Sequence, residues 1–277
     1  MSMLKRVTAS KTGLAVLGGV CLIVVAAPGA FSTGTARGSA SSTPPPVDHQ
    51  LCYAAAGVFQ IPAGVPIRII DQFNPNGYIA QVSGKSGLLC NPVKKMLPTG
   101  KIFGVTNPRA HLVCFPETTA KSQPTPPVVV TNQFGKAVLQ PVQKPNSLCV
   151  PSWKSLTGPP NIKPTTPPGL NHFSCYAVKV LSGGYKVPGG IKLQDEFTKT
   201  GVQVDINPIP VELCLPAEKI IGKQVFPMIN PVKHLLCFPV SKTPTVNPVW
   251  AENQFGTSKM NVIVTKRLCV PSTKKIG

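Results

Sequence analysis

Past residue 40 the hydrophobic positions fall in short runs, without a stripe at the i, i+3, i+4 spacing of a helix. VPIRIIDQF (65–73), PVVVTNQF (127–134) and GIKLQDEF (190–197) are rich in β-branched residues and are bounded by Pro, Gly and Asn. YIAQV (78–82), VQVDI (202–206) and MNVIV (260–264) follow after turns. Such runs predict strands. The chain holds 32 prolines, many in Asn-Pro pairs at 91–92, 107–108 and 230–231, which oppose long helices. The expected fold class is all-β.

The strands belong to a repeat. Each of the four histidines stands three residues before a cysteine: HQLC at 49, HLVC at 111, HFSC at 172 and HLLC at 234. An aromatic follows each of these cysteines, namely Tyr53, Phe115, Tyr176 and Phe238. The other four mature cysteines read Leu-Cys-x-Pro-x-x-Lys: LCNPVKK, LCVPSWK, LCLPAEK and LCVPSTK. Between the two signatures lies an Asx-Gln/Glu-Phe triplet: DQF (71–73), NQF (132–134), DEF (195–197) and NQF (253–255). The result is four modules of about 61 residues. About four strands per module and eight per pair suit a β-sandwich.

The modules group in pairs. Copies one and three carry Asp in the triplet, whereas copies two and four share Asn-Gln-Phe-Gly and CVPS. SLTGPPNIKPTTPPGLN (155–171) separates the pairs and reads as a stiff linker. The expected organisation is a signal peptide at 1–40, a polar Pro-rich linker at 41–47 and β domain 1 at 48–154, with modules 49–95 and 111–154. The linker at 155–171 then leads to β domain 2 at 172–275, with modules 172–219 and 234–274. LCxPxxK is read as the closing strand, with Leu toward the core, Cys cross-linked, Pro at an edge and Lys toward water.

The signal reading rests on Lys5, Arg6 and Lys11 before the apolar run Gly13–Ala27, followed by small residues. The run is short for a bilayer span, so cleavage near Ala30, Ala36 or Ala40 is expected, with Cys21 discarded and no stable membrane span left. The full chain carries a net charge of +19. Without residues 1–40 it holds 24 basic and 9 acidic residues, a net of +15. The charge is borne mainly by lysine, a hydrated point charge suited to diffuse attraction. Anionic cell-envelope polymers are the partners this favours, with no specific nucleic acid. A solvated surface without a dedicated partner is the alternative. Lys94–Lys95, Lys219 and Lys274–Lys275 are candidates for a basic edge.

Eight cysteines in an exported chain imply a disulfide framework of Cys52, Cys90, Cys114, Cys149, Cys175, Cys214, Cys237 and Cys269. Each four-cysteine pair of modules allows three connectivities. The favoured one joins the two cysteines of each module across 38, 35, 39 and 32 residues.

Catalytic chemistry is not evident. H-x-x-C suggests zinc, but the cysteines are expected to be oxidised, and positions i and i+3 of a strand face opposite sides. No G-x-S-x-G, phosphate-cradling glycine loop or calcium-loop spacing occurs. Position 71/132/195/253 alternates acid with amide, which suits a turn cap and not a general base. Asp195–Glu196 is the only adjacent acidic pair. Trp153 and Trp250 occupy non-equivalent positions, as core or as exposed stacking platforms.

The series HxxC[YF]…DQF…LCNPxxK…NPxxHLxCF…NQFG…LCVPSxK resembles an uncharacterised tandem cysteine-containing domain of exported bacterial proteins. Copy three departs, with Leu215 where copy one has Asn91. The resemblance implies an exported repeat domain and supplies no catalytic residue. The expected function is an exported, non-enzymatic binding or structural module without a cofactor. Metal binding through H-x-x-C, or a hydrolase, is the alternative.

Overall fold

A computed structural model describes residues 46–62, 64–119, 125–241, 243 and 248–276. The signal-peptide reading at 1–40 lies outside them. The described residues are all-β. Module one contributes β1 (Gln50–Ala56), β2 (Ile67–Ile70), β3 (Tyr78–Val82), β4 (Leu88–Pro92) and β5 (Lys94–Met96), with β6 (Ile102–Phe103) in the connector. Module two gives β7 (His111–Thr118), β8 (Val128–Asn132), β9 (Gly135–Pro141) and β10 (Ser147–Ser155). Module three gives β11 (His172–Tyr185), β12 (Ile191–Gln194), β13 (Val202–Val204) and β14 (Glu212–Ile221), followed by β15 (Gln224–Phe226). Module four gives β16 (His234–Pro239), β17 (Val249–Asn253) and β18 (Gly256–Ile276).

The eight cysteine-bearing strands close on themselves. β1, β4, β7, β10, β11, β14, β16 and β18 pair antiparallel in that order, and β18 returns to β1. Inside each module the two cysteines lie directly opposite each other: Cys52↔Cys90, Cys114↔Cys149, Cys175↔Cys214 and Cys237↔Cys269. At each junction the closing cysteine instead faces the residue two positions before the next cysteine. These pairs are Cys90↔Leu112, Cys149↔Phe173, Cys214↔Leu235 and Cys269↔Gln50. The four two-residue steps accumulate to a shear of eight over eight strands. That combination tilts strands by roughly 36° and closes a barrel narrow enough for side chains to fill.

What fills it is sulfur. Disulfides join Cys52–Cys90, Cys114–Cys149, Cys175–Cys214 and Cys237–Cys269, each with Cα atoms 3.9 Å apart. This is the within-module connectivity. Sulfurs of neighbouring bridges approach to 3.8 Å between Cys52 and Cys269 and to 3.7 Å between Cys149 and Cys175. Leu112, Phe173 and Leu235, with Leu88, Gln50 and Glu212, line the rest of the lumen. The residual space, about 10 Å³, is at the limit for a single water. Loops of 32 to 39 residues closed this way contribute about 3–4 kcal/mol each on the chain-entropy model.

Alternation along each strand sends the neighbours of each cysteine outward. Leu51, Tyr53, Leu89, Val113, Phe115, Leu148, Tyr176, Leu213, Phe238 and Leu268 belong to a second core, which lies between the barrel and the outer hairpins. Strands buried on both faces need apolar residues at nearly every position. This explains why the cysteine motifs read as unbroken apolar runs.

The outer hairpins correct the expectation of two sandwich domains. Past its cysteine, each closing strand leaves the barrel and exposes an edge, and the hairpin of the opposite module covers it. β2 pairs with β14, β12 with β5, β17 with β10 and β8 with the end of β18. Each half therefore covers the open edges of the other, which removes templates for aggregation. The described residues form one compact unit. The 155–171 segment folds back onto it: Trp153 Nε1 donates to Pro164 O at 2.8 Å, and Asn107 Nδ2 donates to Pro168 O at 3.0 Å.

The triplets sit at the hairpin tips as Asx caps. Asp71 Oδ1 accepts from Phe73 N, Asn132 Oδ1 from Phe134 N, Asp195 Oδ1 from Phe197 N and Asn253 Oδ1 from Phe255 N, at 2.8–3.0 Å. Either Asp or Asn can accept such a bond, hence the alternation. Gly135 closes one of these turns at φ 141°, and a Cβ there would lie 2.8 Å from the Gly184 carbonyl oxygen.

Candidate functional site

The repeated His, Lys, Gln/Glu and Phe meet outside the barrel at four stations. Each station takes His and the motif Lys from one module and the hairpin tip from the next, and module four takes the tip of module one. Lys95 Nζ lies 4.7 Å from the Phe134 ring centre, Lys154 4.2 Å from Phe197, Lys219 4.7 Å from Phe255 and Lys274 4.8 Å from Phe73. Gln133 bonds His49 at 2.8 Å, Gln254 bonds His172 at 2.9 Å and Gln72 bonds His234 at 3.1 Å.

These contacts correct the expectation that the motif lysine points to water. Lys95 and Lys219 are fully buried, and the Lys154 side chain has no exposed area. Lys95 also faces Phe103 at 4.2 Å, and Lys219 faces Phe226 at 4.3 Å. Neither of these two amines has a hydrogen-bond partner. Burial, helped by the Lys101 charge, lowers the Lys95 pKa to about 7, and burial holds Lys219 well below its usual value. Of the expected basic edge, only Lys275 is exposed.

The histidines are buried as well. Burial is the main cause and the neighbouring motif lysine the second, and together they lower His49 to about 3 and His234 to about 4. His111 and His172 are held well below the usual imidazole value for the same reasons. Their cysteine neighbours turn into the lumen, so no H-x-x-C pair converges among the described residues. The grouping there with metal-ligand composition is Cys175, Cys214 and Glu212. Its two sulfurs form one disulfide, and Glu212 pairs with Arg267 and accepts from Ser147 Oγ at 3.4 Å.

The Lys154 station differs from the other three. Lys154 Nζ lies 2.8 Å from Glu196 Oε2 and donates to Asn91 Oδ1 at 2.9 Å. His111 Nδ1 donates to the same Asn91 oxygen at 3.1 Å. Asn91 Nδ2 donates to Asp195 Oδ2 at 2.9 Å, and Tyr53 OH donates there also at 2.9 Å. Burial lowers the Lys154 pKa, opposed by the Glu196 carboxylate. A cavity of about 470 Å³ opens beside this network, lined by Asn91, His111, Asp195 and Glu196 among others. Asp195 and Glu196 were legible as the adjacent acidic pair. Asn91 was visible only as a departure between copies, and its meeting with Lys154, 63 residues away, was not legible.

Residues 111–271 match the family described as Repeat of unknown function (DUF7450). The chain belongs to this family. The match spans modules two to four, from the histidine that opens module two to the proline of the last LCxPxxK. No curated protein matches the chain, and no solved structure does. Among the described residues no helix is long and apolar enough to cross a membrane.

Proposed function

We propose that this protein is an exported, non-enzymatic structural and binding module whose lysine-rich exterior attaches to anionic envelope polymers. One observation carries the reading. The residues of each repeat that could do chemistry are engaged in joining one module to the next, four times in a ring. What remains free is the exterior charge, on exposed residues such as Lys101, Lys136, Lys186, Lys199, Lys223 and Lys266. Four disulfides inside a closed barrel suit an oxidising compartment. Scattered lysines without a bidentate arginine site suit polyanions recognised by charge density.

The test is retention of the mature protein on whole cells and on an immobilised anionic wall polymer, across a salt series. Salt screens contacts between exposed charges, so elution well below molar salt is expected. Retention unchanged in molar salt would sink the electrostatic attachment.

A further inference from the structure

We propose that Lys154 and Asn91 become joined by an intramolecular isopeptide bond, formed by the chain itself with release of ammonia. The proposal concerns the chain's own chemistry and does not depend on what its surface binds.

The geometry supplies each part of the reaction. Lys154 Nζ is an amine in hydrogen-bond contact with the oxygen of a carboxamide, 2.9 Å away, and so lies next to the carbon it would attack. The His111 Nδ1 proton points at that oxygen from 3.1 Å and stabilises the negative charge that develops there. Glu196 Oε2, 2.8 Å from Nζ, takes the proton that the attacking amine must lose. The departing Nδ2 is held 2.9 Å from Asp195 Oδ2, whose other contact at this oxygen is the Tyr53 hydroxyl. The Nζ–Cγ bond forms and the Cγ–Nδ2 bond breaks. One proton passes from Nζ to Nδ2 through the flanking carboxylates, and ammonia leaves into the adjoining cavity. No electron is transferred, so no oxidant or reductant is needed.

Two further features favour the reaction here. Burial favours the neutral, nucleophilic form of the Lys154 amine, and Phe197 covers it at 4.2 Å. The residue after Asn91 is Pro92, which has no N–H, so the usual loss of asparagine ammonia by backbone attack is closed. The other copies lack the pieces. The position of Asn91 is held by Val150, Leu215 and Val270, and that of Glu196 by Gln72, Gln133 and Gln254. The bond would join β4 to β10 across the intervening β7, outside the barrel whose interior the disulfides already bridge.

The experiment is the intact mass of the full chain as purified, reduced and denatured, followed by trypsin digestion. The expected mass is lower than that of the sequence by one ammonia. The peptides holding Asn91 and Lys154 should appear as one joined species, with no cleavage after Lys154. Asn91→Leu, which installs the residue module three carries, should restore the full mass and cleavage after Lys154. Asn91→Asp should lose water in place of ammonia. Both variants are first checked for four disulfides and a cooperative thermal transition, so that misfolding is recognised. Wild-type protein at full sequence mass with cleavage after Lys154 overturns the proposal. An ammonia loss that maps elsewhere, or that survives Asn91→Leu, overturns it equally.

Discussion

The stations of Lys154 and Lys219 are built from the same motif residues and reach opposite solutions. At Lys219 the amine sits between Phe226 and Phe255 without a polar partner, and its histidine is held by Gln254. At Lys154 one phenylalanine, Phe197, covers the amine, and Asn91, Glu196 and Asp195 surround it and its neighbours. The first arrangement disfavours a charge and offers nothing for it to react with. The second places a nucleophile beside an electrophile and two carboxylates. The difference teaches that a repeat can keep its framework unchanged while two substitutions, Asn at 91 and Glu at 196, convert one copy into a reactive site.

The largest expected effect strikes all four stations together. The histidines have folded pKa values depressed below the ordinary 6.5, to about 3 for His49 and about 4 for His234. The unfolded chain therefore takes up protons first. The stability these groups contribute is present above 6.5 and is lost as pH falls toward the folded values. Each unit of offset corresponds to about 1.4 kcal/mol. Lys95, lowered from 10.5 to about 7, adds stability as pH rises across that interval. Glu117 acts in the opposite direction. Burial raises it from 4.5 to about 7, so its contribution is lost as pH rises through 7. Four imidazoles and Lys95 outweigh one carboxyl, so the thermal midpoint should climb from about pH 4 to about pH 9. A maximum near pH 5 would contradict the burial of the histidines.

Next in size are the phenylalanines. Phe255 is 1% exposed and packs edge-on against Phe115 with ring centres 5.4 Å apart. Phe255→Ala should cost about 3–5 kcal/mol in denaturant unfolding. Phe197 is half-buried, and Phe197→Ala should cost roughly 2 kcal/mol, in proportion to the smaller area removed from water. Equal losses would mean that the polar station is as tightly packed as the apolar one.

The smallest pair sharpens the comparison most. Lys219→Met removes a buried amine with no partner and should stabilise the fold by about 1–2 kcal/mol at neutral pH. Lys154→Met removes the amine beside Asn91 and Glu196 together with the cross-link proposed there, and should cost at least about 1–3 kcal/mol. Chemical denaturation of the two variants side by side measures both signs. A loss at Lys219 as large as that at Lys154 would show that the two lysines are held alike.

Much of this was legible in the residues. Period and composition gave β-strands, and the spacing of His, Cys and LCxPxxK gave four modules. The alternation of Asp with Asn identified a cap. The lysine was misread because in LCxPxxK it stands five residues past the cysteine, where a closing strand is expected to meet water. Its partners are hairpin tips of the following module, and no local pattern announces them. The invariance of Lys and Phe across all four copies was the available signal, since solvent-facing positions have no reason to repeat.

The sequence by itself determined the module, its period-two alternation and the two cysteines that each copy carries, because each rests on local spacing along one strand. Only the tertiary structure decided that the strands close into a single barrel with the disulfides inside. It also decided that each half covers the other's edges, and that Asn91 lies beside Lys154. Those outcomes depend on a two-residue stagger at each junction and on which hairpin reaches which edge. Both are properties of pairing between segments far apart in the chain, where the free energy of burying an edge outweighs any preference written in the segment itself.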